Sequence, residues 1–363
     1  MTTRLDVAVL GATGAVGQRF IQLLADHPWF RVAEVVASDR SAGKPYSEAC
    51  RWLLTGQPPA DVARLTVLPL DAPLTSPIIF SALPSDVART LEPELAAHGH
   101  IVCTNTSTHR MADDVPILIP EVNADHVGLV DVQRRKRGWK TGALVTTPNC
   151  TSAPVVMSLA PLVPFGIAKL HIVSMQAVSG AGYPGVASLD IFDNVVPYIG
   201  GEEEKLQTEP RKMLGKFAND HIDWLDTVIS ADCNRVPVID GHTVCISVGF
   251  SGSAPELDEI QEAWLNYRGH EAAQRLPSAA SPVLLYTSEP DRPQPRRDRD
   301  AGGGMTTTIG RLRDCPILDV KYVALAHNTV RGAAGDTILN AELLVAQGYV
   351  AGFERTLEPA ISV

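Results

Sequence analysis

A short apolar run, Val7–Leu10, ends in Gly11-Ala-Thr-Gly14-Ala-Val-Gly17, and a stretch with apolar residues at helical spacing follows at once. That stretch is Ala15–Asp26, with Val16, Phe20, Leu23 and Leu24 in phase, and a second β-branched run, Val32–Ala37, comes after it. Strand, tight glycine turn, helix and strand in this order predict a parallel βαβ unit. Ile78–Ala82 and His100–Thr104 read as further buried strands, with a helix over Ser85–His98 between them and Ser85 as its N-cap. The first ~150 residues are therefore expected to form an open, doubly wound nucleotide-binding sheet.

The middle of the chain has a different texture. Lys169–Val178, Val236–Asp240, Thr243–Phe250 and Val283–Tyr286 are strand candidates, several of them joined by long connections. Ala254–Tyr267 is predicted helical with Ser253 as its cap, Glu289–Gly304 as a surface loop, Cys315–Ala326 as a strand, and Asp336–Gln347 as an amphipathic helix. This is an α+β pattern and implies a second domain. At 363 residues the chain is long enough for two. The expected division is a cofactor-binding domain of 1–149 with 331–363, and a catalytic and dimerisation domain of 150–330.

Composition excludes several classes. Hydrophobic residues at 45% and charged residues at 20% suit a globular chain. A net charge of −10 argues against a nucleic-acid-gripping basic face. No apolar stretch reaches the ~18 residues of a membrane span, and the N-terminus lacks the layout of a signal peptide. Six cysteines without framework spacing read as reduced thiols of a cytoplasmic protein, and no cluster has metal-ligand spacing.

Four segments carry chemistry. In the glycine turn, Gly11, Thr13, Gly14, Ala15 and Val16 would let a pyrophosphate approach the backbone and the helix N-terminus. After the second strand come Ser38, Asp39, Arg40 and Ser41. Asp39 would favour the free ribose hydroxyl of NAD, whereas Arg40 with two serines would favour the 2′-phosphate of NADP. The balance lies with NADP. Pro148-Asn149-Cys150-Thr151-Ser152 places a cysteine before the apolar helix Ala153–Leu159, where the helix dipole would stabilise a thiolate nucleophile. Cys103 and Cys245, in strand-like runs, read as core. Arg235 and His242 flank a short strand and a glycine turn; the first suits a carboxylate, the second acid/base work.

Together these segments resemble the aspartate-semialdehyde dehydrogenases, in their archaeal and fungal-like branch. The resemblance runs over nearly the whole chain, through GATGAVGQRF, ASDRSAGK, NTSTHRM (105–111), IPEVNADH (119–126), TPNCTS, QAVSGAGYPG (176–185), VPYIGGEEEK (196–205), NRVPVIDGHT and HNTVRGAAGDTILNAELL (327–344). It implies that Cys150 is the acyl-accepting nucleophile and His242 the acid/base. It implies that Gln176 orients the substrate, with Asn149 beside it, that Arg235 holds its carboxylate and that Glu202 holds its ammonium group. Arg110 and Lys205 would form a phosphate site. Ser179, Gly180, Gly182, Asn328 and Gly335 would join the glycine turn, Ser38, Arg40 and Ser41 around NADP. A homodimer or homotetramer is implied too. The family more often has SNA where this chain has Thr104-Asn105-Thr106. Malonyl-CoA reductase and N-acetylglutamyl-phosphate reductase are rivals from the same fold, and a non-catalytic nucleotide sensor is one from another class. The Glu202/Lys205 pair, the absence of a PGCYPT-like segment around Cys150, and the presence of both thiol and imidazole favour the aspartate-semialdehyde reading.

Overall fold

The computed structural model describes residues 4–350. Five strands form the first sheet: β1 (Leu5–Leu10), β2 (Phe30–Val36), β3 (Ile78–Ser81), β4 (Ile101–Thr104) and β5 (Ala143–Thr146), in the order β2-β1-β3-β4-β5. All neighbours are parallel. Side chains of a strand alternate between faces, so a sheet covered on both sides needs apolar residues at every position. Val7, Val9, Ile78, Phe80, Ile101, Cys103, Ala143 and Val145 belong to one core, whereas Ala8, Leu10, Ile79, Val102 and Leu144 belong to another. The first core is closed by helix Ala15–Leu24 through Phe20, Ile21 and Leu24. The second is closed by helix Ser85–Ala97 through Ala88 and Ala96. This is the doubly wound, Rossmann-type arrangement.

The second sheet is mixed. It comprises β6 (Ile167–Gln176), β9 (Val228–Arg235), β10 (His242–Phe250), β11 (Leu284–Thr287), β12 (Thr307–Asp314) and β13 (Val320–Ala326), ordered β11-β12-β13-β10-β6-β9. A two-stranded ribbon, β7 (Lys216–Ala218) with β8 (His221–Asp223), stands apart. One face of the large sheet packs on helices Ser152–Leu159, Glu202–Met213 and Leu257–Asn266, burying Leu170, Ile172, Val244, Ile246 and Trp264. On the strands β6 and β9 the other positions, Lys169, His171, Val228, Ser230 and Asp232, face outward and are exposed.

The chain then returns to the first sheet. Helix Gly335–Ala346 puts Ile338, Leu339, Leu343 and Leu344 into the core that holds Val7 and Val9. Its sequence predicts an amphipathic helix, but every residue from Gly335 to Val345 is buried, because the helix is enclosed on all sides. Other expectations also change. Val236–Asp240 is a turn-rich connection, not a strand. Ser85 and Ser253 cap nothing: the first lies inside its helix after Pro84, and the helix expected from Ala254 begins at Leu257 with a Glu256–Glu259 capping box. The strand expected from Cys315 begins at Val320. The 289–304 segment holds two short helical turns and a buried carboxylate, Asp298, paired with Arg292.

Candidate active site

A cleft of about 1250 Å³ runs from the glycine turn to Cys150. Thr13, Gly14, Ala15 and Val16 line one end; Cys150, Arg110, Gln176, Glu202, Lys205 and Arg235 line the other. Ser179, Gly180, Gly182, Asn149 and Asn328 also line it.

At the first end the backbone is set by sterics. Gly11 has φ +72°, and a Cβ there would lie 2.6 Å from the carbonyl oxygen of Ala82. A Cβ on Gly17 would lie 2.2 Å from the carbonyl oxygen of Gly11. Only glycine fits either position. The helix that follows has no side-chain cap at Gly14, so its N-terminal amides remain available to an anion. Nearby, the buried Nδ2 of Asn105 has no partner among the described residues, and Asn105 lines the cleft. These features fit a dinucleotide. Ser38 and Arg40 are exposed beyond the end of β2, Ser41 is half-buried, and none of the three lines the cleft. Gly335 does not line it either: it is buried against Met305 and Val330.

At the second end the side chains hold one another. The Sγ of Cys150 lies 3.1 Å from Nε2 of His242. The amide N–H of Ala177 donates to Nδ1 of His242 at 3.0 Å, which leaves the proton of the neutral ring on Nε2, facing the sulfur. Burial pushes this imidazole down to about 3, helped by the charge of Arg235, so the ring is neutral near pH 7. Burial also pushes the Cys150 thiol up to about 12. Glu202 adds to that rise, and Arg110, Arg235 and Lys205 oppose it. The helix N-terminus is expected from sequence to favour the thiolate; here burial outweighs such effects in the free protein.

The carbonyl of Ala177 accepts from Nη1 of Arg235 at 2.8 Å. One residue thus orients both His242 and Arg235. Gly180 sits against the same pair, since a Cβ there would lie 2.8 Å from Arg235 Nη1 and 3.1 Å from His242 Nε2. The backbone of Gly332 closes the far side: a Cβ on it would lie 2.7 Å from Cys150 Cα.

Of the three adjacent acids, Glu202 alone is buried and lines the cleft; Glu203 accepts from the amide of Cys233 and Glu204 is exposed. Glu202 accepts from Lys205 Nζ at 2.7 Å, from Asn149 Nδ2 at 2.9 Å and from Gln176 Nε2 at 3.3 Å. Asn149 is fully engaged, because its Oδ1 also accepts from the Thr151 amide. Asn328 braces two turns, accepting from the Gly241 amide and donating to Ser179 Oγ. Three further residues escape sequence reasoning. Glu209 and Lys212 touch the Arg110 segment, and Arg19 lines the cleft one turn into the first helix. The helical spacing Glu202, Lys205, Glu209, Lys212 carries a signal, which Pro210 disguises.

Two family models cover most of the chain. Residues 6–130 match "Semialdehyde dehydrogenase, NAD binding domain", and residues 159–331 match "Semialdehyde dehydrogenase, dimerisation domain". The aspartate-semialdehyde dehydrogenase of Archaeoglobus fulgidus is 49% identical over 96% of this chain and 100% of its own length. The chain belongs to the aspartate-semialdehyde dehydrogenase family. The Schizosaccharomyces pombe member is 46% identical over 95% of this chain and 99% of its own. The crystal structure of the Candida albicans aspartate-semialdehyde dehydrogenase with NADP superposes with a TM-score of 0.88, at 39% identity, covering 96% of this chain and 100% of that one. As a family member the protein is an oxidoreductase that acts on an aldehyde with a nicotinamide cofactor and phosphate. No described helix is long and apolar enough to cross a membrane.

Proposed function

We propose that the protein interconverts L-aspartate 4-semialdehyde, phosphate and NADP with L-4-aspartyl phosphate and NADPH through a thioester on Cys150. The observation that carries this reading is the 3.1 Å pair of Cys150 Sγ and His242 Nε2, set at the end of the cleft that Arg110, Lys205 and Arg235 line, and continuous with the glycine turn. In the biosynthetic direction Cys150 attacks the acyl carbon of the aspartyl phosphate, and its thiol proton ends on the departing phosphate. Arg110 and Lys205 hold that phosphate, and backbone N–H groups near Cys150 would hold the developing oxyanion. The dihydronicotinamide, when bound, supplies the hydride that reduces the thioester. Collapse then releases the aldehyde and the sulfur leaves as thiolate, stabilised by the Nε2–H of His242, and a proton from solvent restores the thiol. A proton that His242 takes up must leave again within the step, because its cation is disfavoured there. Arg235 holds the α-carboxylate in a planar fork, and Glu202 the ammonium group, in competition with Lys205. Gln176 positions the substrate beside the sulfur, and Asn149 holds Glu202 in place.

Thr13, Gly14, Ala15 and Val16 would cradle the pyrophosphate, with Gly11 making the turn. Ser179, Gly180, Gly182 and Asn328 would border the nicotinamide. Ser38, Arg40 and Ser41, beyond the cleft at the end of β2, would take the adenosine 2′-phosphate, which is the basis for preferring NADP. Gly335 would act through helix packing. The domains are proposed as 1–149 with 331–363, and 150–330; residues 1–3 and 351–363 of that division lie outside the described residues. Exposed Leu189, Phe192 and Tyr198 support a homodimer or homotetramer. The product would feed lysine, threonine, methionine and isoleucine synthesis in the cytoplasm. One assay tests the reading: NADP reduction with aspartate semialdehyde and phosphate, beside NADPH oxidation by malonyl-CoA. Turnover confined to the second substrate refutes it.

A further inference from the structure

Arg110 is held by three hydrogen bonds inside the protein. Nε donates to the carbonyl of Thr147 at 2.8 Å, Nη2 to the carbonyl of Asn105 at 2.8 Å, and Nη1 to Oε1 of Glu209 at 2.9 Å. A guanidinium carries five N–H groups, so two remain, one on each Nη, for an anion in the cleft. The carboxylate that fixes Nη1 does a second thing. Oε2 of Glu209 accepts the backbone N–H of Asn149, the residue before Cys150, at 2.7 Å. One buried side chain, 1% exposed, therefore ties the Arg110 guanidinium to the nucleophile's own loop.

Lys212, one turn further along the same helix, repeats the pattern on the backbone. Its ammonium group donates to the carbonyls of Arg110 at 2.7 Å, Ala112 at 2.8 Å and Val115 at 2.8 Å, using all three protons. It is 2% exposed. The helix belongs to the core of the second sheet, whereas the 105–115 segment follows β4 of the first. Burying two charges costs several kcal/mol, which Glu209 offsets through the Arg110 ion pair and the Asn149 N–H, and Lys212 through three carbonyls. A purely structural contact between domains is more simply made with apolar side chains.

We infer that Glu209, seconded by Lys212, is a positioning residue for the phosphate site: it sets the distance and angle between the free N–H groups of Arg110 and the sulfur of Cys150. The inference rests on the reading of Arg110 as a phosphate ligand. It assigns to Glu209 no contact with substrate. Loss of the carboxylate frees Nη1 to swing and leaves the Asn149 amide unpaired, which displaces both partners of the phosphate-transfer step. Because near-attack geometry is sensitive to displacements of ~1 Å, the effect on the phosphate-dependent rate is on the order of 10²-fold.

The test is steady-state kinetics of full-length wild type, Glu209→Gln and Glu209→Asp, with aspartate semialdehyde, NADP and inorganic phosphate each varied, and with thermal melting alongside. Glu209→Gln should raise the KM for phosphate at least tenfold and lower kcat, with the KM for NADP within twofold of wild type. Glu209→Asp keeps the charge but is one methylene short, so the same pattern should appear with smaller amplitude; it carries the test should the Gln variant prove insoluble. A phosphate KM within twofold of wild type in the soluble variant, or an equal rise in all three KM values with a lowered Tm, overturns the inference and leaves Glu209 a structural residue. Wild type that turns over without any phosphate dependence would instead sink the underlying phosphate reading, and the inference with it.

Discussion

At the glycine end of the cleft the groups offered to a ligand are backbone amides held by steric necessity, whereas at the thiol end they are charged side chains held by one another. The first end comes from one contiguous stretch, Gly11–Gly17, whose conformation admits nothing larger than hydrogen at two positions. The second draws Arg110, Asn149, Cys150, Gln176, Glu202, Lys205, Arg235 and His242 from separate segments spread between Arg110 and His242. The difference teaches where each kind of site is fragile. A backbone cradle fails by collision. A side-chain site fails when one member of a hydrogen-bonded set is removed and its buried neighbours are left unpaired.

The largest expected effect concerns the sulfur. With the thiol pushed up to about 12, the thiolate fraction should grow tenfold for each pH unit below that value. Alkylation of Cys150 by iodoacetamide in the free protein should therefore climb by about 10³-fold from pH 6 to pH 9 without levelling off. A plateau at or below pH 7 would mean a preformed thiolate–imidazolium pair, and the neutral-ring account of His242 would fall.

Next comes the carboxylate end of the substrate. Arg235→Lys keeps the charge but loses the fork and its bond to the carbonyl of Ala177. We expect a loss on the order of 10²-fold in kcat/KM for aspartate semialdehyde, with phosphate saturation changing much less. Paired saturation curves decide it; a variant altered in phosphate saturation alone would reverse the roles of Arg235 and Arg110.

The smallest effect belongs to Arg40, exposed beyond the end of β2. Arg40→Ala should weaken NADP by about tenfold, the size of one lost charge-assisted contact, and leave NAD unchanged. Isothermal titration with both dinucleotides measures this. Equal weakening of the two would put Arg40 away from the adenosine ribose.

The same contrast between backbone and side chain governs what is legible in the sequence. The parallel sheet is legible because its strands are short, apolar at every position and punctuated by the glycine turn. Cys150 and His242 are legible through their motifs, but not the 3.1 Å between them, which depends on β10 pairing with β6 and on the amide of Ala177. Backbone donors leave no mark on residue type. Glu209 and Lys212 lie in a stretch whose internal Pro210 masks its helical period. The burial of helix Gly335–Ala346 on every side cannot be read from its own residues, since Asp336, Asn340 and Glu342 imitate a solvent face. Asp336 in fact meets the buried Arg331, and Glu342 meets His27.

A covalent acyl enzyme on Cys150 is central to the proposed chemistry, and it can be measured directly. Wild type would be mixed with aspartate semialdehyde and NADP in the absence of phosphate, with absorbance followed on the millisecond scale and the quenched protein analysed by peptide mass spectrometry. The thioester route predicts a burst of NADPH stoichiometric with sites and an aspartyl adduct on the Cys150 peptide. Added phosphate should discharge the adduct, and Cys150→Ser should show neither burst nor adduct. A full burst with no adduct on Cys150, or an equal burst in Cys150→Ser, would contradict it.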